Sequence, residues 1–328
     1  MLRVALVSGL LALGGFAPVA SADVLLPPRG KVYTGISGER TVGSFTAQVG
    51  KRPSVFGFFN QWDGTSDLAY EASDRAGARP MLHISTQDGY GTRERITPRG
   101  IARGGGDRYL AQLNRRIAEY GKPVYVRLMA EMNQANNGYC AYNKNGTSRG
   151  PARSTRAFRQ AWRRVTLVLR GGPVAEIDSR LRKLGLPALK TAEAELPRPQ
   201  VAMAWVPQTE GTPNTYANRA RAYWPGSRYV DWVGTDFYSR FPNFRGLEAF
   251  YADFPRKPFV FAEWAMWGRD DPAFVRRFFS WIRSHKRVRM VLYNRGNSPD
   301  SPLKLSRYPA SRAAIKQELR RKRYLGRP

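Results

Sequence analysis

One cysteine and two histidines are all that 328 residues hold of the residue types most used for disulfides and metal sites. A lone Cys140 excludes an intrachain disulfide, and His83 and His285 stand too far apart in sequence to seed a histidine-rich metal centre, so no metal and no cofactor are expected. Acidic residues are scarce as well: 25 Asp+Glu face 54 Lys+Arg, a formal charge of +29. Neither histidine sits in a context that would support a serine hydrolase, and the phosphate-loop and dinucleotide fingerprints are missing. Beyond the first residues no apolar run is long enough for a membrane helix. What is present is a hydrophobic fraction of 42%, enough at this length to build a large core and to exclude disorder for most of the chain.

The N-terminus reads Met1-Leu2-Arg3, then an apolar stretch over 4–16, then Ala20-Ser21-Ala22 before Asp23. A positive residue, a short apolar run and an A-x-A site in that order are the parts of a secretory signal peptide. Residues 1–22 are therefore expected to be removed and the protein to be secreted; a buried N-terminal strand or helix is the alternative. An extracellular chain without disulfides must be held together by its core.

β-branched and aromatic runs at 32–37, 54–62, 79–85, 124–132, 200–206, 229–238, 258–264 and 288–294 predict eight strands, nearly continuous in apolar character as strands buried on both faces should be. Amphipathic stretches at 107–120, 154–170 and 272–285 predict helices between them. Gly121 and Pro123 stop the first, and Asp271-Pro272 starts the last. This alternation favours a single-domain α/β fold, a (β/α)8 TIM barrel over 23–311, with an open doubly wound sheet as the alternative. Residues 171–199 read as a surface insertion extending the helix before the fifth strand. The basic tail 312–328, with Arg320-Arg321-Lys322-Arg323, is expected to project into solvent.

Barrel enzymes carry their reacting groups at the C-terminal ends of strands. Glu131 closes the fourth run and Glu263 the seventh, each after apolar residues, where an ionised side chain is costly unless it opens on a cleft. Two carboxyls facing each other across a barrel mouth could hydrolyse a glycosidic bond, with retention if they are roughly 5–5.5 Å apart. Strand-end carboxylates also serve as helix caps and rim ion pairs, and position alone leaves both readings open. Sugar clefts need flat apolar faces, and Trp62, Trp205, Trp264 and Trp267 lie at or just after strand ends, with Tyr293 and Asn294 closing the eighth. Packing in the core is the alternative for each. His83 is a candidate substrate hydrogen-bonder, and His285, at a helix end, a structural residue.

Arg127-x-x-x-Glu131-Met132-Asn133, then Tyr142-Asn143-Lys144-Asn145-Gly146 and Phe158-Arg159-Gln160-Ala161-Trp162-Arg163-Arg164-Val165, resembles glycoside hydrolase family 26, which includes the β-mannanases. Tyr223-Trp224-Pro225-Gly226, Thr235-Asp236-Phe237-Tyr238 and Lys257-Pro258-Phe259-Val260-Phe261-Ala262-Glu263 are similar to later segments of that family, in order. The resemblance implies a TIM barrel and retaining hydrolysis of a β-linked polysaccharide of mannan, glucan or xylan type. It implies Glu131 as acid/base and Glu263 as nucleophile. It also places Tyr238 beside the nucleophile, Arg127 as a brace of the same network, and Asn133 and Asp236 among the substrate-binding residues. Two positions depart from the family: Ala130 stands where a His usually precedes the acid/base, and Gln134 where a Gly often follows the Asn. An alanine can neither hydrogen-bond a sugar nor tune its neighbour, so a barrel of weak activity that binds carbohydrate or cell wall is the second reading. Arginine is scattered through every helix without a recognisable nucleic-acid motif, so no nucleic-acid partner is expected. Anionic cell-wall polymers drawn by the general field are the candidate partners for the charge, and a merely solvated basic surface is the alternative.

Overall fold

The computed structural model describes residues 25–39, 41–88 and 93–328. The stretch 1–22 read as a signal peptide lies outside them. Eight parallel strands close into a barrel: β1 (Val32–Ser37), β2 (Val55–Gln61), β3 (Arg79–Ser85), β4 (Val124–Leu128), β5 (Val201–Trp205), β6 (Trp232–Tyr238), β7 (Phe259–Ala265) and β8 (Val288–Asn294), with β1 hydrogen-bonded back to β8. The alternation read from the sequence is thus a (β/α)8 barrel and not an open sheet.

Helices α1 (Gly43–Val49), α2 (Asp67–Ala76), α3 (Asp107–Tyr120) and α4 (Thr155–Arg170) follow the first four strands. After α5 (Val174–Lys183) in the insertion come α6 (Phe244–Asp253), α7 (Pro272–Ser284) and α8 (Pro309–Leu319). Ser154 caps α4 by accepting from the Ala157 amide at 3.2 Å, and Asp271 caps α7 by accepting from Phe274 at 2.9 Å. Between β5 and β6 three 3-10 turns, Tyr216–Asn218, Ala220–Tyr223 and Ser227–Tyr229, take the place of a helix.

Side chains alternate along each strand, and the two faces feed two separate cores. Tyr33, Val55, Met81, Tyr125, Ala202, Trp232, Val260 and Met290 fill the barrel interior. The intervening positions, among them Phe56, Leu82, Val126, Phe261 and Val291, pack outward against the helices.

Two expectations about the periphery need correction. Residues 171–199 do not extend α4: the chain turns at Gly171, forms α5, and buries Ile177, Leu181, Leu186, Leu189 and Leu196 against the outer core. The tail 312–328 does not project into solvent. Most of its first part is α8, and Tyr324–Leu325 adds a short strand beside β1, with Tyr324 buried. Glu318 meets both Arg283 and Arg321, so part of the basic run is spent on ion pairs within the domain.

Candidate active site

Strand β4 stops at Leu128 because its continuation leaves extended geometry: Met129 and Glu131 have φ of 41° and 51°. This left-handed conformation is rare for residues with a Cβ, and two in three residues make a local strain that the neighbours must hold. They do so in alternation, since the Met129 amide donates to Ile84 at 2.8 Å on the β3 side and the Glu131 amide to Val206 at 2.7 Å on the β5 side. Asn133 ties the same turn to the end of β5, its side-chain amide donating to the Gln208 carbonyl and its oxygen accepting from the Gln208 amide, both at 2.9 Å. Gln208 in turn donates from Nε2 to Glu131 Oε1 at 2.5 Å.

On the other side of the mouth, β7 slips register against β8 between Phe261 and Trp264, and β6 slips against β7 between Thr235 and Asp236. These irregularities re-aim side chains, as bulges beside sites do, and bring Asp236 level with Glu263. Glu263 faces donors on both oxygens: Arg127 Nη1 on Oε1, with Tyr238 Oη and Asn294 Nδ2 on Oε2. Arg127 Nη2 reaches Asp236 Oδ2, and Asn294 also donates to the Tyr238 oxygen at 3.1 Å.

Three carboxyls thus surround one guanidinium. Burial pushes the half-buried Glu131 carboxyl above its ordinary range, and the charge of Glu263 pushes the same way, against Arg127, Asp236 and Gln208. Burial holds Asp236 well above the carboxylate range, with Arg127 opposing and the two glutamates adding to the rise. The cluster therefore holds a proton where an isolated carboxylate would have lost it. Burial and the adjacent carboxylates also push the Tyr238 phenol well up, so it remains a donor.

His83 pairs in register with Arg127 and with Phe59, which puts all three on the inward face of the mouth. Both ring nitrogens of His83 are buried without a hydrogen-bond partner, and burial followed by the Arg127 charge holds the ring well below its ordinary pKa, hence neutral. Phe59, 40% exposed and edge-on to His83 at 5.5 Å, widens this flank into an apolar face. Trp267 forms the opposite flank, half-buried and edge-on to Tyr238 at 5.7 Å.

Of the residues singled out by sequence, Glu131, Glu263, Arg127, Asp236, Tyr238, His83 and Trp267 come together here. Four aromatics do not. Trp264, 2% exposed, stacks on Phe278 of α7 at 4.7 Å and meets Tyr293 at 5.1 Å, while the Tyr293 hydroxyl donates to Leu303. Trp205 is fully buried among Trp224, Phe250 and Phe254. Trp205 and Tyr293 sit one residue out of phase with the inward positions of their strands, and the irregularity at Ala262 turns Trp264 to the same helix-facing side. Trp62, 2% exposed, packs on Tyr109 of α3 at 4.8 Å, under Gly106, where any side chain would strike its ring. Asn133 is fully buried with both polar ends bonded to Gln208, so it positions the turn and does not face a ligand. Gln208 and Phe59 were missed by the sequence reading. The strand phase set by Arg127 identifies Phe59, whereas Gln208, three residues past the end of β5, carried no signal.

No family model and no curated protein matches the chain. Solved structures do match in fold. A family 26 β-mannanase from Bacteroides ovatus aligns at a TM-score of 0.58 and 16% identity, covering 90% of this chain and 90% of that one. A modular endo-β-1,4-mannanase from Cellulomonas fimi aligns at 0.59 and 15%, over 90% of this chain and 72% of its own. A Bacillus subtilis mannanase aligns at 0.57 and 14%, over 92% and 88%. At these identities the likeness is one of fold, and it is a likeness to the family that the motifs around Glu131 and Glu263 resemble.

Proposed function

We propose that the protein is an exported retaining glycoside hydrolase of β-linked polysaccharides, with Glu131 as acid/base and Glu263 as nucleophile. The observation that carries this reading is the contrast between the two glutamates. Glu263 has both oxygens occupied by donors, so it is presented as a fixed acceptor whose lone pairs can attack. Glu131 is pushed toward its protonated form and accepts from Gln208 on one oxygen, so it is suited to give up a proton. Surroundings that differ in this way, donors fixed on one carboxyl and a proton favoured on the other, divide the roles of nucleophile and acid.

In the first step Glu131 protonates the glycosidic oxygen as the bond from that oxygen to the anomeric carbon breaks and a bond from Glu263 to that carbon forms. In the second, Glu131 takes a proton from water as the water oxygen displaces Glu263. Arg127 and Asn294 hold the nucleophile in place.

The structural neighbours make β-mannan the first substrate to try, with β-glucan and xylan beside it. Endo cleavage and secretion belong to the same proposal, the latter resting on residues 1–22. Glu263→Gln should abolish turnover. Glu131→Gln should lower it roughly 10²–10⁴-fold on polysaccharide, with a smaller loss on aryl glycosides whose leaving group needs no proton. Product of inverted configuration, or Glu263→Gln with wild-type turnover, ends this reading. Ala130 favours the second one, a carbohydrate-binding barrel of weak activity: its methyl is buried in the barrel interior, out of reach of a sugar. Polysaccharide binding with no Glu263-dependent product would select it.

A further inference from the structure

Two residues beyond Tyr238, at the end of β6, the chain presents Arg240 and Phe241 to solvent. Phe241 is 62% exposed, edge-on to Trp267 at 5.8 Å. The Arg240 guanidinium carbon lies 5.2 Å from the centre of the Trp267 ring and 5.7 Å from that of Phe241. A guanidinium stacked on rings keeps its planar fork of N–H donors free at the edge, which suits a planar carboxylate.

Arg240 has no carboxylate and no hydrogen-bond acceptor among the described residues. Other arginines on loops past strand ends do: Arg95 meets Asp88, Arg153 meets Glu94 and Arg295 meets Glu39. The acid next to Trp267 in sequence is already engaged, since Asp270 accepts from the Ala310 and Ser311 amides and the Ser311 hydroxyl.

The platform is also fixed in place. The Trp267 amide donates to Ser239 Oγ at 2.8 Å, which joins the ends of β6 and β7. Contacts run without a gap from Arg240 to Trp267, from Trp267 to Tyr238, and from Tyr238 to Glu263. A chain cleaved at Glu263 and running outward past Tyr238 would meet this face.

We propose that Arg240, seated on Trp267 and Phe241, reads a carboxylate on the sugar chain, and that the favoured ligand is an acidic, uronate-bearing β-glycan. The proposal rests on the glycosidase reading for the place of the reacting bond, and the general charge of +29 would raise the local concentration of such a chain.

The test uses the full chain carrying Glu263→Gln, so that binding is read without turnover. Titration calorimetry compares neutral β-1,4-linked manno- and gluco-oligosaccharides with the same oligosaccharides oxidised at C6. The acidic form should bind about tenfold tighter, the scale of one hydrogen-bonded charge pair. Adding Arg240→Gln should abolish that ratio, and adding Arg240→Lys should keep part of it. A ratio near one, a ratio unchanged by Arg240→Gln, or no binding of either form overturns the proposal. A ratio that falls equally with salt in both backgrounds also overturns it, since the general field would then be responsible. Turnover is scored separately with the wild type: failure to cleave any of these oligosaccharides would count against the glycosidase reading while leaving an Arg240-dependent binding ratio standing.

Discussion

Among the described residues two arginines are buried against carboxylates, and they are built to opposite rules. Arg164 on α4 is paired one to one with Asp107 on α3, through Nε at 2.7 Å and Nη2 at 2.5 Å. Its remaining donors reach the Pro187 and Ala188 carbonyls at 2.8 and 3.0 Å, and the Lys190 amide completes Asp107 at 2.8 Å. Arg127 on β4 instead faces Asp236 and Glu263 with Glu131 close behind. Its Nε and Asp236 Oδ1 are buried without a partner. A buried charge pair with every nitrogen and both carboxylate oxygens engaged is scaffold, here pinning the insertion to the barrel. A guanidinium with surplus carboxyls and unused atoms is expensive unless a ligand or a moving proton completes it. The pair at Arg164 is the more fully bonded, yet the proposed chemistry lies at Arg127.

The strongest way to break this contrast is to remove each arginine in turn. Arg164→Met should cost about 3–5 kcal/mol of stability, because Asp107 would be left as a lone buried charge, while activity per folded molecule changes little. Arg127→Met should lower turnover at least about 10²-fold through misplacement of Glu263. Denaturant midpoints and rates normalised to folded protein separate the two. If both variants lose activity only in proportion to stability, the distinction fails.

A smaller effect is expected from Asn133→Leu, which leaves the Gln208 amide and carbonyl unpaired in a buried place at a cost of about 1–3 kcal/mol. Unlike a change at Arg164, it should also reduce turnover, since the strained turn bearing Glu131 loses one of its ties to the end of β5. Stability lost with unchanged turnover would place Asn133 with the scaffold.

The pH dependence of stability sharpens the contrast further. Glu131 and Asp236 hold protons in the folded state at pH values where the unfolded chain has released them. The unfolded state then binds fewer protons, so stability falls as pH rises from the ordinary carboxylate range through the folded-state values. Without Arg127, which opposes both shifts, the fall should deepen. The melting-temperature gap between wild type and Arg127→Met should be wider at pH 8.5 than at pH 5, and a gap that narrows would contradict the charge count at the site.

How far the sequence could be read follows the physics of a strand. β1, β3 and β8 begin and end where their apolar runs do, and α3 matches its amphipathic stretch from Asp107 to Tyr120. The fourth run was read too long, to 132, because composition does not register the left-handed turns at Met129 and Glu131. Glu131 and Glu263 were legible because a carboxylate after an apolar run is costly to bury. Trp264 and Tyr293 were misjudged because nearness to a strand end does not fix the face. Neighbours in a strand point oppositely, so an inward Glu263 leaves Trp264 outward, and an inward Asn294 does the same for Tyr293. Trp205 follows the same phase. Gln208 and the Arg164–Asp107 pair depend on contacts between distant segments, which no local pattern records.

The smallest effect, and the one that bears most directly on what the surplus carboxyls do, concerns Gln208. Its amide donates to Glu131 Oε1 at 2.5 Å and favours the ionised form of that carboxyl. Gln208→Leu removes the donor and keeps the bulk, so burial and the Glu263 charge then act on Glu131 with less opposition, and its proton is held to higher pH. If Glu131 must be protonated for the first step, the alkaline limb of the kcat/KM profile should move upward in pH, with only a modest fall in the plateau rate. A scaffold role for Gln208 would lower the plateau and leave the limb where it was. A limb that moves toward acid would mean that the titration setting the alkaline side belongs to another group, and the assignment of the acid to Glu131 would fall with it.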